Sequence, residues 1–265
     1  RINIFGNFQT IEEVIRNNLK VDEGDPLNNV LYNKSIDQIR SLGFFDKVDS
    51  EVVNGSNENL KVINITVEEQ PTGEITMGAG YGSSGSTLGA GIVEKNFLGK
   101  GINLNTNFEL SEESLKGQFI FSKPNFNYTE NTLRTSLRAL TTDNLDDFGY
   151  KQSETGVSLG TTYEQYENLF FSPEIALSLE DLETNSSAST NLKKQEGKYE
   201  DFYFNYGLNY DLRDSVYNPT TGSKTSFFQT IPLVSDNSEI ANTFVLTKYK
   251  TLNDSSGMVG RVSLY

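Results

Sequence analysis

The feature that most constrains this chain is an alternation of apolar and polar residues that recurs through residues 72–265. Between Gly101 and Leu110, Ile, Leu and Phe share one parity, while Asn and Glu occupy the other. Tyr199–Arg213 repeats the pattern with a row of aromatic residues. Because successive side chains of a β-strand point to opposite faces, the alternation predicts strands with one apolar and one polar face.

The length of these runs separates two fold classes. Strands of a soluble β-sandwich typically have about 5–6 residues, whereas a tilted transmembrane strand needs about 9–11. Runs such as Tyr199–Arg213 match the second class, with apolar side chains toward lipid and polar side chains toward the barrel interior. We therefore predict a mainly β protein with a transmembrane antiparallel β-barrel, and a soluble sandwich stays the alternative.

Turn signals between the runs predict eleven strands. They are placed at residues 73–82, 86–95, 101–110, 115–123, 131–142, 152–163, 170–183, 199–213, 224–233, 240–251 and 257–265. In two of them the register stays open, because Phe227 lies beside Phe228 and Phe244 beside Val245. Connections after odd-numbered strands include the longest ones, an asymmetry of outer-membrane barrels that places the N-terminal residues on the periplasmic side. Such barrels have even strand numbers, so we expect a piece of a longer protein, with about eleven of sixteen strands.

Residues 1–71 have a different character and predict a small α+β domain of the order β-α-α-β-β, followed by the barrel at 72–265. Thr10 and Glu13 have the spacing of a capping box at the start of the first helix. The second helix should end before Gly43, a residue suited to the left-handed conformation that follows a helix. Two β-type runs close the domain, at Lys47–Val53 and Leu60–Glu68.

Composition excludes most catalytic chemistry. The chain contains no His, Cys or Trp, which removes serine-protease triads, histidine zinc sites, thiol nucleophiles and disulfides. Its formal net charge is −14, from 22 basic and 36 acidic residues, and such a chain would repel a phosphate backbone. We predict neither an enzyme nor a cofactor, and no nucleic-acid partner.

Three motifs suggest sites but are explained more simply. Gly80–Gly85 fits the glycine pattern of dinucleotide-binding loops, but the next residues predict a strand and not the required helix. An acidic group near Asp143 lacks the spacing of a calcium loop and reads as a solvated connection. Arg134 and Arg138 point to the polar face, where they could set an anion preference in a pore, but we expect them to pair with acids such as Glu109.

Five short motifs in order carry a resemblance to a known family. They are Ile4-Phe5-Gly6-Asn7 with Thr10 and Val14-Ile15-Arg16; Leu42-Gly43-Phe44-Phe45-Asp46-Lys47-Val48; Glu69-Gln70-Pro71-Thr72-Gly73; Asn96-Phe97-Leu98-Gly99-Lys100-Gly101; and Asp211, Arg213 and Asp214 followed by Pro219, Thr220 and Gly222. The first three resemble parts of a POTRA domain and its exit into a barrel, and the last two resemble periplasmic turns. Over essentially the whole chain the sequence is similar to the BamA-type outer-membrane protein assembly factors.

The resemblance implies a protein of the bacterial outer membrane that folds and inserts other β-barrels, with its POTRA domain in the periplasm. Its partners would be the lipid bilayer, unfolded outer-membrane proteins and lipoprotein subunits of an assembly complex. The first barrel strand would form one side of a seam that templates client strands, with Gly73, Thr76, Gly78, Ala79, Gly80 and Gly82 as its site residues. A free edge of the POTRA domain would receive extended segments at Lys47, Val48, Asp49, Ser50, Glu51 and Val52. The alternatives are a two-partner-secretion transporter of the same superfamily and a passive porin.

Overall fold

The computed structural model describes residues 1–57, 60–82, 85–215, 219–235, 239–253 and 257–265. Its N-terminal part has the predicted element order. The elements are β1 (Ile2–Phe5), α1 (Glu12–Arg16), α2 (Asn29–Ser41), β2 (Phe45–Asn54) and β3 (Lys61–Glu69). Across the described residues, no helix has both the length and the apolar character needed to cross a membrane.

The three N-terminal strands form a sheet of order β1-β3-β2. β1 is parallel to β3, with Ile4 opposite Ile65, and β2 is antiparallel to β3. The core lies between this sheet and the helices, and Ile15, Ile39 and Ile65 are fully buried there. Ile36 and Ile39 of α2 are three residues apart, so they lie on one helix face, and both reach this core.

The capping box predicted at Thr10 and Glu13 is wrong. The residue that precedes α1 is Ile11, and the helix start has no side-chain cap. Thr10 is 2% exposed, and its hydroxyl accepts a hydrogen bond from the side chain of Asn96. A hydroxyl engaged by a residue far along the chain is not available to the first turn of the helix. In contrast, the side chain of Asn28 caps α2 by accepting hydrogen bonds from the N–H groups of Val30 and Leu31.

All eleven strands predicted for the second part of the chain are present, and they form one antiparallel sheet in chain order. They are β4 (Gly73–Gly82), β5 (Gly85–Phe97), β6 (Ile102–Ser111), β7 (Ser114–Lys123), β8 (Thr132–Asn144), β9 (Tyr150–Tyr166), β10 (Leu169–Thr184), β11 (Gly197–Asp211), β12 (Gly222–Val234), β13 (Ala241–Asn253) and β14 (Met258–Leu264). A 3-10 turn follows β7 at Phe126–Tyr128, and α3 (Thr190–Lys194) lies in the connection before β11. A strand and not a helix follows the glycine-rich segment, of which Ser83 and Ser84 lie outside the described residues.

The two faces of the sheet differ as the alternation predicts. On one face, rings from four neighbouring strands lie in contact, with centroid distances of 5.7–6.1 Å. We call this the aromatic face, and its ring cluster comprises Tyr163, Phe171, Phe204, Tyr206 and Phe227. We call the other face the polar face, where Asn209 accepts a hydrogen bond of 2.6 Å from Ser226.

The open register of β12 is settled by its pairing with β11. Phe227 lies opposite Leu208 and contacts Tyr206 on the aromatic face. Phe228 therefore lies on the polar face, opposite Gly207. A Cβ atom at Gly207 would come within 2.9 Å of the Phe228 ring, so the glycine makes room for it. Phe244, opposite Phe227, places β13 in the same register.

Packing divides the chain into two compact units. The first unit contains Arg1–Thr76 together with Gly91–Thr106, and the second contains Met77–Ala90 together with Asn107–Tyr265. The first unit therefore combines the small α+β domain with the turn between β5 and β6. The residues of the turn between β5 and β6 can therefore be described together with those of the small domain.

Candidate functional site

β4 is the first strand in the order of the large sheet, and β5 is its only neighbour among the described residues. Its observed bounds, Gly73–Gly82, are those that the sequence predicts. All ten residues are exposed, including the apolar Ile75 and Met77. The proposed seam residues thus lie on an end strand of the described sheet, where one row of backbone N–H and C=O groups pairs with no strand among the described residues.

β2 is an end strand of the small sheet and pairs with β3 alone in the described residues. Lys47 and Asp49 form an ion pair of 2.6 Å on this strand, which raises the pKa of the lysine above its usual value. Val48 is buried, and Ser50 accepts a hydrogen bond from the hydroxyl of Tyr32 in α2. Glu51 and Val52 are exposed, and Arg40 of α2 donates a hydrogen bond of 3.1 Å to the backbone carbonyl of Val48.

The turn between β5 and β6 is shaped by three residues in the left-handed conformation, Leu98, Gly99 and Gly101, with φ values of 57°, 69° and 63°. Asn96, which is 8% exposed, organises it: its side-chain carbonyl accepts from the N–H of Gly101 at 2.7 Å. The same side chain donates to Thr10 at 2.8 Å, and the N–H of Ile11 donates to the carbonyl of Gly99 at 2.9 Å. The turn that contains the family motif therefore contacts the residues at the start of α1 through these two hydrogen bonds.

Gly99 is required in this turn for two reasons. The backbone here has a positive φ, which strains L-residues but which glycine adopts readily because it has no Cβ. A Cβ atom at this position would also lie 1.9 Å from the carbonyl oxygen of Gln9. The second reason could not be deduced from the sequence, because it involves Gln9, which lies 90 positions earlier in the chain.

Glu69, the last residue of β3, holds the loop that leads to this contact. Its carboxylate accepts hydrogen bonds from the backbone N–H groups of Phe8, Gln9 and Thr10 at 3.1, 2.9 and 2.6 Å. Burial alone would raise the pKa of Glu69, but the hydrogen bonds from Thr10, Gln9 and Phe8 outweigh it and hold the pKa below its usual value. Sequence reasoning placed Glu69 in the exit motif without seeing this role.

The hairpin between β11 and β12 contains the second family turn. Arg213 forms an ion pair of 2.6 Å with Asp211. The carboxylate of Asp214 accepts from the N–H groups of Thr220 and Thr221 at 2.9 and 3.1 Å. The hydroxyl of Thr220 is also a donor, and together these bonds lower the pKa of Asp214 to about 2. Pro219 precedes Thr220, and at Gly222 a Cβ would lie 2.1 Å from the carbonyl oxygen of Leu212. These contacts join the described motif residues on the two sides of the hairpin.

The polar face carries a connected set of hydrogen bonds. Arg138 pairs with an acid of the polar face, as expected, and that acid is Glu154; Glu109, the acid named as an example, pairs with Lys116 at 2.9 Å. Glu174 accepts from Ser158 and Asn205 at 2.9 and 3.1 Å. A cavity of 590 Å³ lies against this face, lined by Arg134, Ser136, Arg138, Glu174 and Asn205 among others.

Asp143, which belongs to the acidic group considered as a calcium site, forms an ion pair of 3.0 Å with Lys151. In the part of the chain that the structure describes, no three His, Cys, Asp or Glu side chains are grouped so that they could hold a metal ion.

An antiparallel sheet of membrane-spanning length, with an aromatic face, a polar face and a preceding β-α-α-β-β domain, defines an outer-membrane β-barrel protein with a periplasmic module. Comparison with family models agrees. Residues 96–264 match the Omp85 superfamily domain, and residues 1–70 match the POTRA family, described as surface antigen variable number repeat. The chain belongs to the Omp85 superfamily and covers one POTRA domain and part of the barrel.

Named relatives point to one branch of this superfamily. The chain is similar to the outer membrane protein assembly factor BamA of Neisseria meningitidis serogroup B, with 30% identity over 47% of this chain and 16% of the relative. It is also similar to BamA of Neorickettsia risticii, with 36% identity over 37% of this chain and 13% of the relative. It therefore spans only a small part of these curated relatives.

Solved structures show the same fold. The structure of BamA from Haemophilus ducreyi lacking POTRA domains 1–3 matches with a TM-score of 0.75 and 24% identity, over 99% of this chain and 54% of that chain. CdiB from Escherichia coli matches with a TM-score of 0.57 and 13% identity, over 96% of this chain and 52% of that one. The chain is thus part of an outer-membrane protein whose POTRA domain lies in the periplasm.

Proposed function

We propose that the protein containing this chain assembles β-barrel proteins and inserts them into the outer membrane, by templating client strands on the edge of β4. The observation that carries the proposal is that β4 is the first strand of the large sheet and pairs only with β5 among the described residues, so that its other edge would form one side of the seam where the complete barrel closes. The similarity to curated assembly factors supports the assembly role.

The physical basis is the cost of an unpaired strand edge in lipid. Backbone N–H and C=O groups have no water to bind in the bilayer core, and each unsatisfied group costs several kcal/mol. An edge that opens there therefore binds an extended client segment through backbone hydrogen bonds, which do not depend on client sequence. Gly78, Gly80 and Gly82 weaken the side-chain packing of β4, which favours exchange of its partner.

β2 of the POTRA domain provides a second edge for the same chemistry. It is an end strand in water, so an unfolded client or a neighbouring protein can add to it without first breaking a strand pair. Residues Lys47–Val52 carry both charges, which suits a solvated edge that must not aggregate. Lipoprotein subunits are included as partners on the sequence resemblance alone.

A second candidate is a polypeptide transporter of the same superfamily, since the CdiB structures share this fold with TM-scores of 0.54 and 0.57. The two curated relatives named above are outer membrane protein assembly factors, which favours the first candidate. A passive porin would need no POTRA domain, so the match over residues 1–70 disfavours that class.

Site-specific crosslinking in the full-length protein tests the proposal. Cysteines introduced by Thr76→Cys and Ala79→Cys should form disulfides with the terminal strand of a stalled client, in one register. Thr135→Cys is the matched control, because Thr135 lies on β8 between two paired strands. Crosslinks from β4 only to β5, with none to client while assembly is stalled, would contradict the templating role.

A further inference from the structure

The turn between β5 and β6 presents an apolar tip. Phe97 and Leu98 are both exposed, Leu98 to 67%, while their neighbours Asn96 and Gly99 are buried. Leu98 also has a positive φ, a conformation that a branched apolar residue rarely adopts and that Asn or Gly would adopt at lower cost. An exposed leucine in a strained position of a tight turn is not explained by packing within the protein.

A second exposed apolar residue lies close to this tip. Phe8 is 93% exposed, the highest value among the large apolar side chains of the described residues. Its neighbour Gln9 contacts Gly99, the neighbour of Leu98, so that the two side chains come from adjoining segments of one compact unit. A single exposed apolar side chain is common, whereas three from two adjoining segments indicate a surface with an occupant.

The charges around the tip indicate which occupant this is. Lys95 and Lys100 flank Phe97 and Leu98 in the sequence, and both are exposed. Among the described residues neither lysine has an ion-pair partner, although the chain carries 36 acidic residues. Apolar side chains bordered by lysines are typical of the membrane interface, where the rings enter the acyl boundary and the ammonium groups reach the headgroups.

The location of the turn agrees with that occupant. It connects β5 and β6, two strands of the membrane-spanning sheet, on the side of the POTRA domain. Lipid contact along the outer faces of these strands therefore continues directly onto the tip. We propose that Phe8, Phe97 and Leu98, with Lys95 and Lys100, form a lipid-anchoring surface that docks this unit onto the periplasmic leaflet and its anionic phosphate headgroups.

The surface has a consequence for the POTRA domain. Phe8 belongs to the loop that Glu69 holds through three N–H groups, so insertion of its ring would attach the domain to the bilayer as well as to the turn. The anchor would limit how far the domain can tilt away from the membrane plane. This inference does not depend on the client-templating function, since it requires only that the strands span the membrane.

Spin labelling of the full-length protein in vesicles tests the proposal. Labels at Phe8→Cys and Leu98→Cys would be introduced into a cysteine-free background, and these 265 residues contain no native Cys. The control is Val30→Cys, since Val30 is an apolar residue of the same unit that is 63% exposed. The ratio of collision with oxygen to collision with a water-soluble nickel chelate should be several-fold higher at positions 8 and 98 than at position 30.

The charge requirement is tested in vesicles of phosphatidylcholine with and without phosphatidylglycerol. The anionic lipid should increase the oxygen-to-nickel ratio at position 98, and Lys95→Gln combined with Lys100→Gln should abolish the increase. Heat-modifiability of each variant would establish that its barrel is intact. An oxygen-to-nickel ratio at position 8 or 98 as low as that at position 30 would contradict the lipid-anchoring surface. Shielding of either label from both reagents would show that a protein partner, and not lipid, covers that position.

Discussion

The side-chain amide of Asn96 donates a hydrogen bond of 2.8 Å to the hydroxyl of Thr10, a residue 86 positions earlier. Both residues are buried, and the side-chain carbonyl of Asn96 also accepts a hydrogen bond from the N–H of Gly101. One side chain therefore fixes the turn between β5 and β6 and the start of α1 at the same time. The first family turn is a joint between the POTRA domain and the hairpin that follows it.

Thr10→Val should weaken this joint, because the valine fills the space but leaves the amide of Asn96 without its acceptor. A buried unsatisfied donor costs about 1–3 kcal/mol. Native-state hydrogen exchange should accelerate at the amides of Ile11 and Gly101, which donate to Gly99 and Asn96. Thr10→Ser keeps the hydroxyl and serves as the control. Unchanged exchange in Thr10→Val would show that the hydrogen bond contributes nothing.

Gly99→Ala and Gly43→Ala form a matched pair, since the two glycines have φ values of 69° and 71°. The left-handed conformation should cost each variant about 1–2 kcal/mol. Only Gly99→Ala adds a steric conflict, with the carbonyl of Gln9, because nothing lies within 4 Å of a Cβ at Gly43. We expect Gly99→Ala to cost roughly 1–3 kcal/mol more, with faster exchange of the Ile11 amide. Equal losses of stability in the two variants would show that the contact between Gly99 and Gln9 does not contribute to the difference.

The strand pattern was predictable from the sequence because it is local. Period-2 alternation places β4 at its observed bounds and finds the other ten strands of the large sheet to within a few residues. The core of the POTRA domain follows from the helical spacing of residues such as Ile36 and Ile39. That β4 is an end strand of the described sheet follows from its position as first strand.

Contacts between distant segments were not predictable. Thr10 has the spacing of a helix cap, and only its contact with Asn96 reveals another role. Likewise Arg138 could pair with any acid on the polar face, and the register of β8 against β9 selects Glu154. For Phe227 and Phe228 the sequence offers two equivalent choices, and Gly207 on the neighbouring strand decides between them.

Glu69→Gln should loosen the loop Phe8–Thr10 in a manner that depends on pH. The pKa of Glu69 is lower in the folded protein than its ordinary value of 4.5, so its carboxylate stabilises the fold above that value. The contribution is lost as the pH falls through the lowered pKa. At neutral pH we expect a loss of about 1–2 kcal/mol for this partly exposed group. Hydrogen exchange of the Thr10 amide measures it. A difference in Thr10 amide exchange between wild type and variant that stays constant down to pH 2 would contradict a role for the ionised carboxylate of Glu69.

The two faces of β11 should respond differently to a charge. Phe204 lies in the aromatic cluster at the middle of the strand, and its neighbour Asn205 contacts Glu174 on the polar face. Phe204→Arg should cost about 2–4 kcal/mol in a bilayer, and Asn205→Arg much less, because the guanidinium there meets water and a carboxylate. Refolding of the full-length protein into vesicles provides the measurement. Equal losses would contradict the assignment of the aromatic face to lipid.

The templating proposal predicts that the backbone of β4 matters more than its side chains. Thr76 and Ala79 are three residues apart, so in a regular strand their N–H groups point to opposite edges. Proline at one of them removes a hydrogen bond to β5, and proline at the other removes a donor from the edge that would pair with clients.

We therefore expect one of Thr76→Pro and Ala79→Pro to abolish client assembly while the barrel stays heat-modifiable, and the other to impair the barrel as well. Thr76→Ala keeps the backbone donor and should assemble clients normally. Assembly would be followed by the appearance of a folded client in vesicles, and barrel integrity by the mobility shift on heating. Normal assembly by both proline variants, with intact barrels, would mean that clients do not pair with this strand.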